Sequence, residues 1–64
     1  MTSAEFIKLL KRDGWRLDRV KGSHHQFRHP RKPGGVTVPH PRKDIPPGTL
    51  ASMYRQAGLT KRSK

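Results

Sequence analysis

The 64-residue chain contains no cysteine, and it has no long apolar run. The missing cysteines exclude disulfide bonds and thiolate metal ligands, and they are typical of a reducing compartment. No stretch approaches the roughly 18 apolar residues of a membrane span, and no secretory signal follows Met1. We therefore expect a cytoplasmic, soluble protein without membrane contacts. It should form one domain over residues 1–59, followed by a flexible basic tail at 60–64.

Aromatic residues are also few, and hydrophobic residues make up only 30% of the chain. A chain of this length buries only about 60% of the surface that it exposes when unfolded. The apolar residues suffice for a thin two-layer core, and they leave little for a deep substrate cavity. Any chemistry should therefore take place on an open surface. The four aromatic residues are Phe6, Trp15, Phe27 and Tyr54.

Negative charge is scarce, with four acidic residues against fifteen Lys and Arg, which gives a formal net charge of +11. A small domain with this balance attracts polyanions, because neutralising phosphates releases condensed counterions. RNA or DNA is therefore the expected ligand. A solubilising surface or affinity for anionic lipid are the alternatives, although no basic amphipathic helix stands out.

Apolar residues at helical spacing predict two helices. The first follows a capping box formed by Thr2 and Glu5 and ends before Gly14. The second begins near Pro46 or Pro47, since proline is tolerated in the first turn, and ends at Gly58. The apolar positions are Phe6, Ile7, Leu9 and Leu10 in the first helix and Leu50, Met53, Tyr54 and Ala57 in the second.

Three short alternating segments between the helices predict strands, near residues 15–20, 24–29 and 36–38. Turn-forming residues separate them, so the strands should form an antiparallel meander. The predicted fold is α+β, with both helices on one face of the sheet and the other face left free. The strand residues expected in the core are Trp15, Leu17, Phe27 and either Val36 or Val38.

Three of the four histidines lie within the segment GSHHQFRHP, residues 22–30. If Phe27 is in the core, alternation places His25 on the same face and His24 on the free face. An exposed imidazole beside cations is suited to phosphodiester chemistry, because its unperturbed pKa near 6.5 allows proton transfer at neutral pH. We expect His25 to be a packed, hydrogen-bonded side chain, and His29 and His40 to be loop residues near phosphate.

Other kinds of site fit the sequence less well. Adjacent His24 and His25 do not easily converge on one metal ion from a regular strand, and thiolate ligands are absent. No spacing of Ser, His and Asp suggests acyl transfer, and Asp18 and Asp44 are too few for a two-metal nuclease. We therefore expect no metal and no cofactor.

Four segments, in this order and in so short a chain, resemble the HicA toxins of bacterial type II toxin-antitoxin pairs. They are residues 10–15 (LKRDGW), 22–30 (GSHHQFRHP), 36–41 (VTVPHP) and 44–59 (DIPPGTLASMYRQAGL). The resemblance covers residues 2–59. It implies an mRNA interferase with a fold like that of a double-stranded-RNA-binding domain. The family's active-site histidine follows a glycine in a Gly-x-His pattern, which matches Gly22 and His24, with His25 as the alternative.

The resemblance also implies a HicB antitoxin that covers the active site and joins in regulating the operon. The toxin would be a monomer when free and part of a hetero-oligomer with the antitoxin. Our hypothesis is a metal-independent endoribonuclease that cleaves mRNA, with His24 as general acid or base. The residues expected to contact RNA are Lys21, Gly22, Ser23, Arg28 and Lys43. The alternative is a basic module that binds RNA or DNA without catalysis.

Overall fold

A computed structural model describes residues 1–59, and the predicted tail at 60–64 lies outside them. The order of elements is helix, three strands and helix, as predicted. The elements are α1 (Ser3–Arg12), β1 (Arg16–Lys21), β2 (His24–Arg28), β3 (Gly35–Pro39) and α2 (Pro47–Ala57). Neither helix in the described part of the chain is long and apolar enough to cross a membrane.

The predicted capping box starts α1. The Glu5 amide donates to the Thr2 hydroxyl at 3.1 Å, and the Thr2 amide donates to the Glu5 carboxylate at 2.8 Å. These hydrogen bonds stabilise the charged form and lower the pKa of Glu5. The cap fixes where α1 begins, and Phe6 and Leu10 on its apolar side are fully buried.

The sheet is the predicted antiparallel meander, with β2 in the centre. Leu17 of β1 lies opposite Phe27 of β2, and Arg19 lies opposite Gln26, the neighbour of Phe27. Asp18 is therefore an extra residue, a β-bulge. Strict alternation from Leu17 would place Arg19 and Lys21 on the same face as Leu17. Because of the bulge, they lie on the opposite face, and Val20 lies on the face of Leu17.

The core lies between one face of the sheet and both helices. It is formed by Phe6, Leu10, Trp15, Phe27, Val36, Val38, Ile45, Met53 and Ala57. The prediction for Leu17 is wrong, because its side chain is 48% exposed. Leu17 shares a face with its buried partner Phe27, but the helices pack mainly over β3, at the other edge of the sheet. The helix layer therefore leaves β1 largely uncovered. Both Val36 and Val38 are buried, where one was expected.

Lys32, in the loop between β2 and β3, ties the ends of the two helices together. Its ammonium lies 2.6 Å from the carboxylate of Asp13 and donates to the Ala57 carbonyl at 3.1 Å. The indole of Trp15 donates to the same carboxylate at 3.2 Å. The hydrogen bond and the charge of Lys32 hold the pKa of Asp13 below its ordinary value.

Candidate active site

The face of the sheet that the helices do not cover is called the open face here. Residues paired across antiparallel strands share a face, so the register shows which side chains belong to it. They are Arg16, Arg19 and Lys21 from β1, His24, Gln26 and Arg28 from β2, and Gly35, Thr37 and Pro39 from β3. Four cations and one histidine give this face a strong positive potential.

His24 begins β2 on the open face, and its side chain is exposed. This confirms the orientation predicted from alternation. Lys21 lies directly opposite His24, so their Cβ atoms are about 5 Å apart. An imidazole and an ammonium are therefore available to the same bound group.

The turn between β1 and β2 leaves the approach to His24 open. Gly22 has a φ of 61°, a left-handed conformation that suits glycine, and a Cβ at this position would meet no atom within 4 Å. The Ser23 carbonyl accepts a hydrogen bond from the His40 amide at 2.8 Å. The turn is thus fastened to the loop after β3 through Ser23, while the side at Gly22 has space for a ligand.

His25 lies on the covered face, in the same row as Val20 and Val38. Its ring packs edge to face against His40, with the ring centroids 4.9 Å apart. The prediction of a packed histidine is confirmed, but the hydrogen bonding expected of this side chain is not met at Nδ1. That atom is buried and has no partner among residues 1–59.

His40 is a loop residue, as predicted, and it is held within the protein. Its Nδ1 lies 2.6 Å from the hydroxyl oxygen of buried Ser3, which also accepts from the Arg42 amide at 2.8 Å. The loop after β3 is thereby fastened to the start of α1. Sequence reasoning missed this link, because no local pattern pairs residues 37 positions apart.

His29 is also a loop residue with partners on both ring nitrogens. Its Nε2 lies 2.7 Å from the Asp13 carbonyl oxygen, and its Nδ1 accepts from the amides of Arg31 and Lys32 at 2.9 and 3.2 Å. This arrangement requires the neutral tautomer with the proton on Nε2. The ring also packs edge to face on Trp15. His29 is therefore engaged in the fold rather than presented to a ligand.

The predicted phosphate contacts lie at different distances from His24. Lys21 is directly across from it, whereas Arg28 is four residues further along β2, about 14 Å by strand geometry. Lys43 lies off the open face, in the connection between β3 and α2, and borders a depression with Thr2 and Ser3. The structure thus groups Lys21 with His24, while Arg28 lies further along the strand and Lys43 lies outside the sheet.

Two further cations on the open face, Arg16 and Arg19, were not expected to bind a ligand. Alternation does place Arg16 there, but Arg19 reaches this face only because of the bulge at Asp18. The Asp18 carboxylate lies 3.5 Å from Nε of Arg19 and 3.8 Å from Nε of Arg28. Within residues 1–59, no three His, Cys, Asp or Glu side chains are grouped so that they could hold a metal ion.

The model of a protein family, described as the HicA toxin of bacterial toxin-antitoxin systems, matches residues 3–59. The chain belongs to the HicA toxin family. A solved structure described as the HicA3 and HicB3 toxin-antitoxin complex contains a chain that is 35% identical, with a TM-score of 0.80. The match covers 97% of this chain and 100% of that chain. No curated protein sequence matches this one.

Membership of the HicA family confirms the resemblance seen in the sequence, and it makes this chain a toxin of a bacterial toxin-antitoxin system. The similarity to the HicA3 chain also confirms the α+β fold. Because the family match includes residues 22–30, the segment that carries His24 is part of what this chain shares with the HicA family.

Proposed function

We propose that this HicA-family toxin is a metal-independent endoribonuclease that cleaves mRNA in the bacterial cytoplasm and so stops translation and growth. The observation that carries the proposal is the position of His24, exposed on the open face with Lys21 directly opposite. This pair supplies a group that transfers a proton and a cation that stabilises the charge developing on a phosphate.

In the proposed reaction, the ribose 2′-oxygen attacks the adjacent phosphorus and the 5′-oxygen leaves. His24 either takes the proton of the 2′-hydroxyl or gives a proton to the leaving 5′-oxygen. The products in both cases are a 2′,3′-cyclic phosphate and a 5′-hydroxyl end. No water is consumed in this step, and the proton that His24 does not handle is exchanged with solvent.

Solvent is the proposed second proton carrier because the other three histidines are occupied elsewhere. His25 lies on the covered face, and the rings of His29 and His40 are bound to neighbouring protein atoms. One positioned acid-base group contributes about 10²- to 10⁴-fold to a rate. That is a modest acceleration, but a toxin that cuts abundant mRNA at many places needs few cleavages per message.

The remaining site residues have positioning roles in this proposal. Lys21 holds the phosphate that reacts, while the Gly22 amide and the Ser23 hydroxyl lie in the open turn beside His24 and donate to phosphate oxygens. Arg28 and Lys43 hold phosphates further along the RNA. Arg16 and Arg19 extend the same basic surface.

A purified transcript incubated with excess EDTA tests the proposal. We expect the wild-type chain to cleave the transcript. His24→Ala should lose about 10²- to 10⁴-fold in cleavage rate while its affinity for RNA stays unchanged. Lys21→Ala should also slow cleavage. Lys8→Ala, which removes the same charge from an exposed position on α1, is the matched control and should have little effect.

The principal alternative is a module that binds RNA or DNA without cutting it, which the basic open face would also serve. Cleavage by a folded His24→Ala variant at the wild-type rate would show that His24 is not the acid-base group. An intact transcript after incubation with the wild-type chain, together with tight binding, would favour the non-catalytic module.

We further propose that a HicB-like antitoxin neutralises the toxin by covering the open face. The net charge of +11 favours an acidic partner, and the similar HicA3 chain was solved in a complex with HicB3. The free toxin would be a monomer. Arg19→Glu should weaken co-purification with a HicB-type antitoxin more than Lys8→Glu does. A complex in which His24 can still be modified by diethyl pyrocarbonate would contradict steric inhibition.

A further inference from the structure

A cleft of about 400 Å³ opens on the open face, further along β2 from His24. The cleft is lined by the side chains of Asp18, Arg19, Gln26, Arg28 and Thr37, and by Gly35 on its β3 side. Gln26 is two residues from His24 on the same strand face, about 7 Å away. A ligand held at His24 can therefore reach into this cleft.

Gly35 lines the cleft and places no side chain in it. This residue lies opposite Arg28 in the register, in a row where a larger side chain would fill the space. A Cβ at Gly35 would also lie only 3.2 Å from the carbonyl oxygen of Phe27. A side chain at Gly35 would therefore both narrow the cleft and make a tight contact with the neighbouring strand.

Asp18 is an unusual residue for a face that binds phosphate, because a carboxylate repels phosphate. The other three acidic residues of the chain have different surroundings: Glu5 caps α1, Asp13 pairs with Lys32, and Asp44 lies near the N-terminus. Asp18 alone is placed among the cations of the open face, near Arg19 and Arg28.

The carboxylate of Asp18 remains able to bind a ligand. Its distances to Arg19 and Arg28, 3.5 and 3.8 Å, are longer than those of charge-assisted hydrogen bonds. The two arginines therefore lie near the carboxylate without occupying its lone pairs. An acceptor of this kind suits a group that presents N–H donors rather than phosphate oxygens.

We propose that the cleft binds a guanine base of single-stranded RNA, with Asp18 accepting hydrogen bonds from N1–H and the N2 amino group. This deepens the proposed endoribonuclease function and rests on it for the identity of the ligand as RNA. Guanine presents two adjacent donors, which match the two oxygens of a carboxylate. Uracil presents one donor between two carbonyl oxygens, which a carboxylate repels.

The RNA must be single-stranded at this point, since a paired guanine has its Watson–Crick edge occupied. Arg19 and Arg28 would bind the phosphates on either side of the base or stack on it. The amide of Gln26 and the hydroxyl of Thr37 add hydrogen bonds at the floor. With a guanine held about 7 Å from His24, cleavage would occur within a nucleotide or two of it.

Binding to oligonucleotides tests the proposal independently of cleavage. The protein in these binding measurements is the His24→Ala variant, called the parent protein, so that the RNA stays intact. The probes are a fluorescent uridine oligonucleotide of about nine residues, the same with one central guanosine, and the same with one central inosine, which lacks only the N2 amino group. We expect the guanosine probe to bind at least about fivefold more tightly than the uridine probe, with inosine between them.

Two carboxylate variants in the same background locate the effect. Asp18→Asn should abolish the preference for guanosine. Asp44→Asn makes the same change in charge at a side chain that is 92% exposed and does not line the cleft, and it should keep the preference. Circular dichroism spectra identical to that of the parent protein show that both variants are folded.

Equal affinities of the three probes for the parent protein would overturn the proposal, whether or not any variant folds. So would an Asp18→Asn variant that binds all probes more tightly but still prefers guanosine, since Asp18 would then act only as a charge. If the wild-type chain does not cut RNA but the parent protein prefers guanosine, the proposed nuclease function is wrong and the guanine site stands. If the wild-type chain cuts RNA but the parent protein has no preference for guanosine, the guanine site is wrong and the nuclease function stands.

Discussion

The two faces of the sheet are built from the same three strands, yet they differ in what covers them. On one face, Phe27, Val36 and Val38 are buried under the helices. On the other face, most of the strand residues are charged or polar and no helix covers them. The adjacent residues His24 and His25 show the difference most directly, because one step along β2 changes an exposed imidazole into a packed one. Position on the strand, more than residue type, separates the proposed chemistry from structural support.

The largest effect on folding should come from the covered face. Phe27→Ala removes a fully buried ring and should lower the free energy of unfolding by about 3–5 kcal/mol, which is much of the stability of a small domain. Leu17→Ala, at the paired position on the uncovered edge, should change it by no more than about 0.5 kcal/mol. Thermal or urea unfolding measures both, and a similar cost for the two variants would contradict an uncovered β1.

Lys32→Met should give the next largest loss. It removes the contacts of the ammonium with Asp13 and the Ala57 carbonyl but keeps most of the side-chain volume. Because both ion-pair partners are about one-third exposed, we expect a loss of about 1–2 kcal/mol in unfolding free energy. Arg31→Met, at the exposed neighbouring position, is the control. Equal stability of the two variants would show that Lys32 does not join the helix ends.

The cap of α1 should contribute somewhat less. Thr2→Ala removes the acceptor for the Glu5 amide and should cost about 1 kcal/mol. Thr2→Ser keeps a hydroxyl and should retain most of the stability. Urea unfolding of the two variants decides this, and an unchanged midpoint for Thr2→Ala would mean that the capping box does not stabilise the helix.

The smallest effect concerns how the free energy of unfolding changes at low pH. Because the pKa of Asp13 is lowered in the folded state, its stabilising contribution is fully present above the unfolded pKa, about 3.9. This contribution is lost as the pH falls below that value and through the folded pKa. Wild type should therefore lose its advantage over Lys32→Met below about pH 4. A difference in stability that stays constant from pH 6 to about pH 3 would contradict the ion pair.

Much of the covered face could be predicted from the sequence. The capping box at Thr2, the helical spacing of Phe6 and Leu10, and the alternation around Phe27 are local patterns, and each was confirmed. Leu17 was misjudged because its exposure depends on where the helices lie across the sheet, which no local pattern records. The contact between Ser3 and His40 likewise could not be predicted, since it joins parts of the chain that are distant in sequence.

The open face could be predicted only in part. Alternation placed His24 correctly, because β2 is regular from His24 to Arg28. It could not place Arg19, because the bulge at Asp18 shifts the remainder of β1 by one residue. A single irregularity thus brings Arg19 beside Asp18, which alternation already places on this face, and sequence periodicity has no signal for the bulge.

The comparison of His24 with His25 gives the most direct test of the whole account. Single-turnover cleavage of one transcript and thermal unfolding should be measured side by side for His24→Ala and His25→Ala. We expect His24→Ala to lose about 10²- to 10⁴-fold in cleavage rate with an unchanged unfolding midpoint. His25→Ala should unfold at a lower temperature yet still cleave when folded. The opposite pattern, with cleavage lost only in folded His25→Ala, would contradict the assignment of the chemistry to the open face.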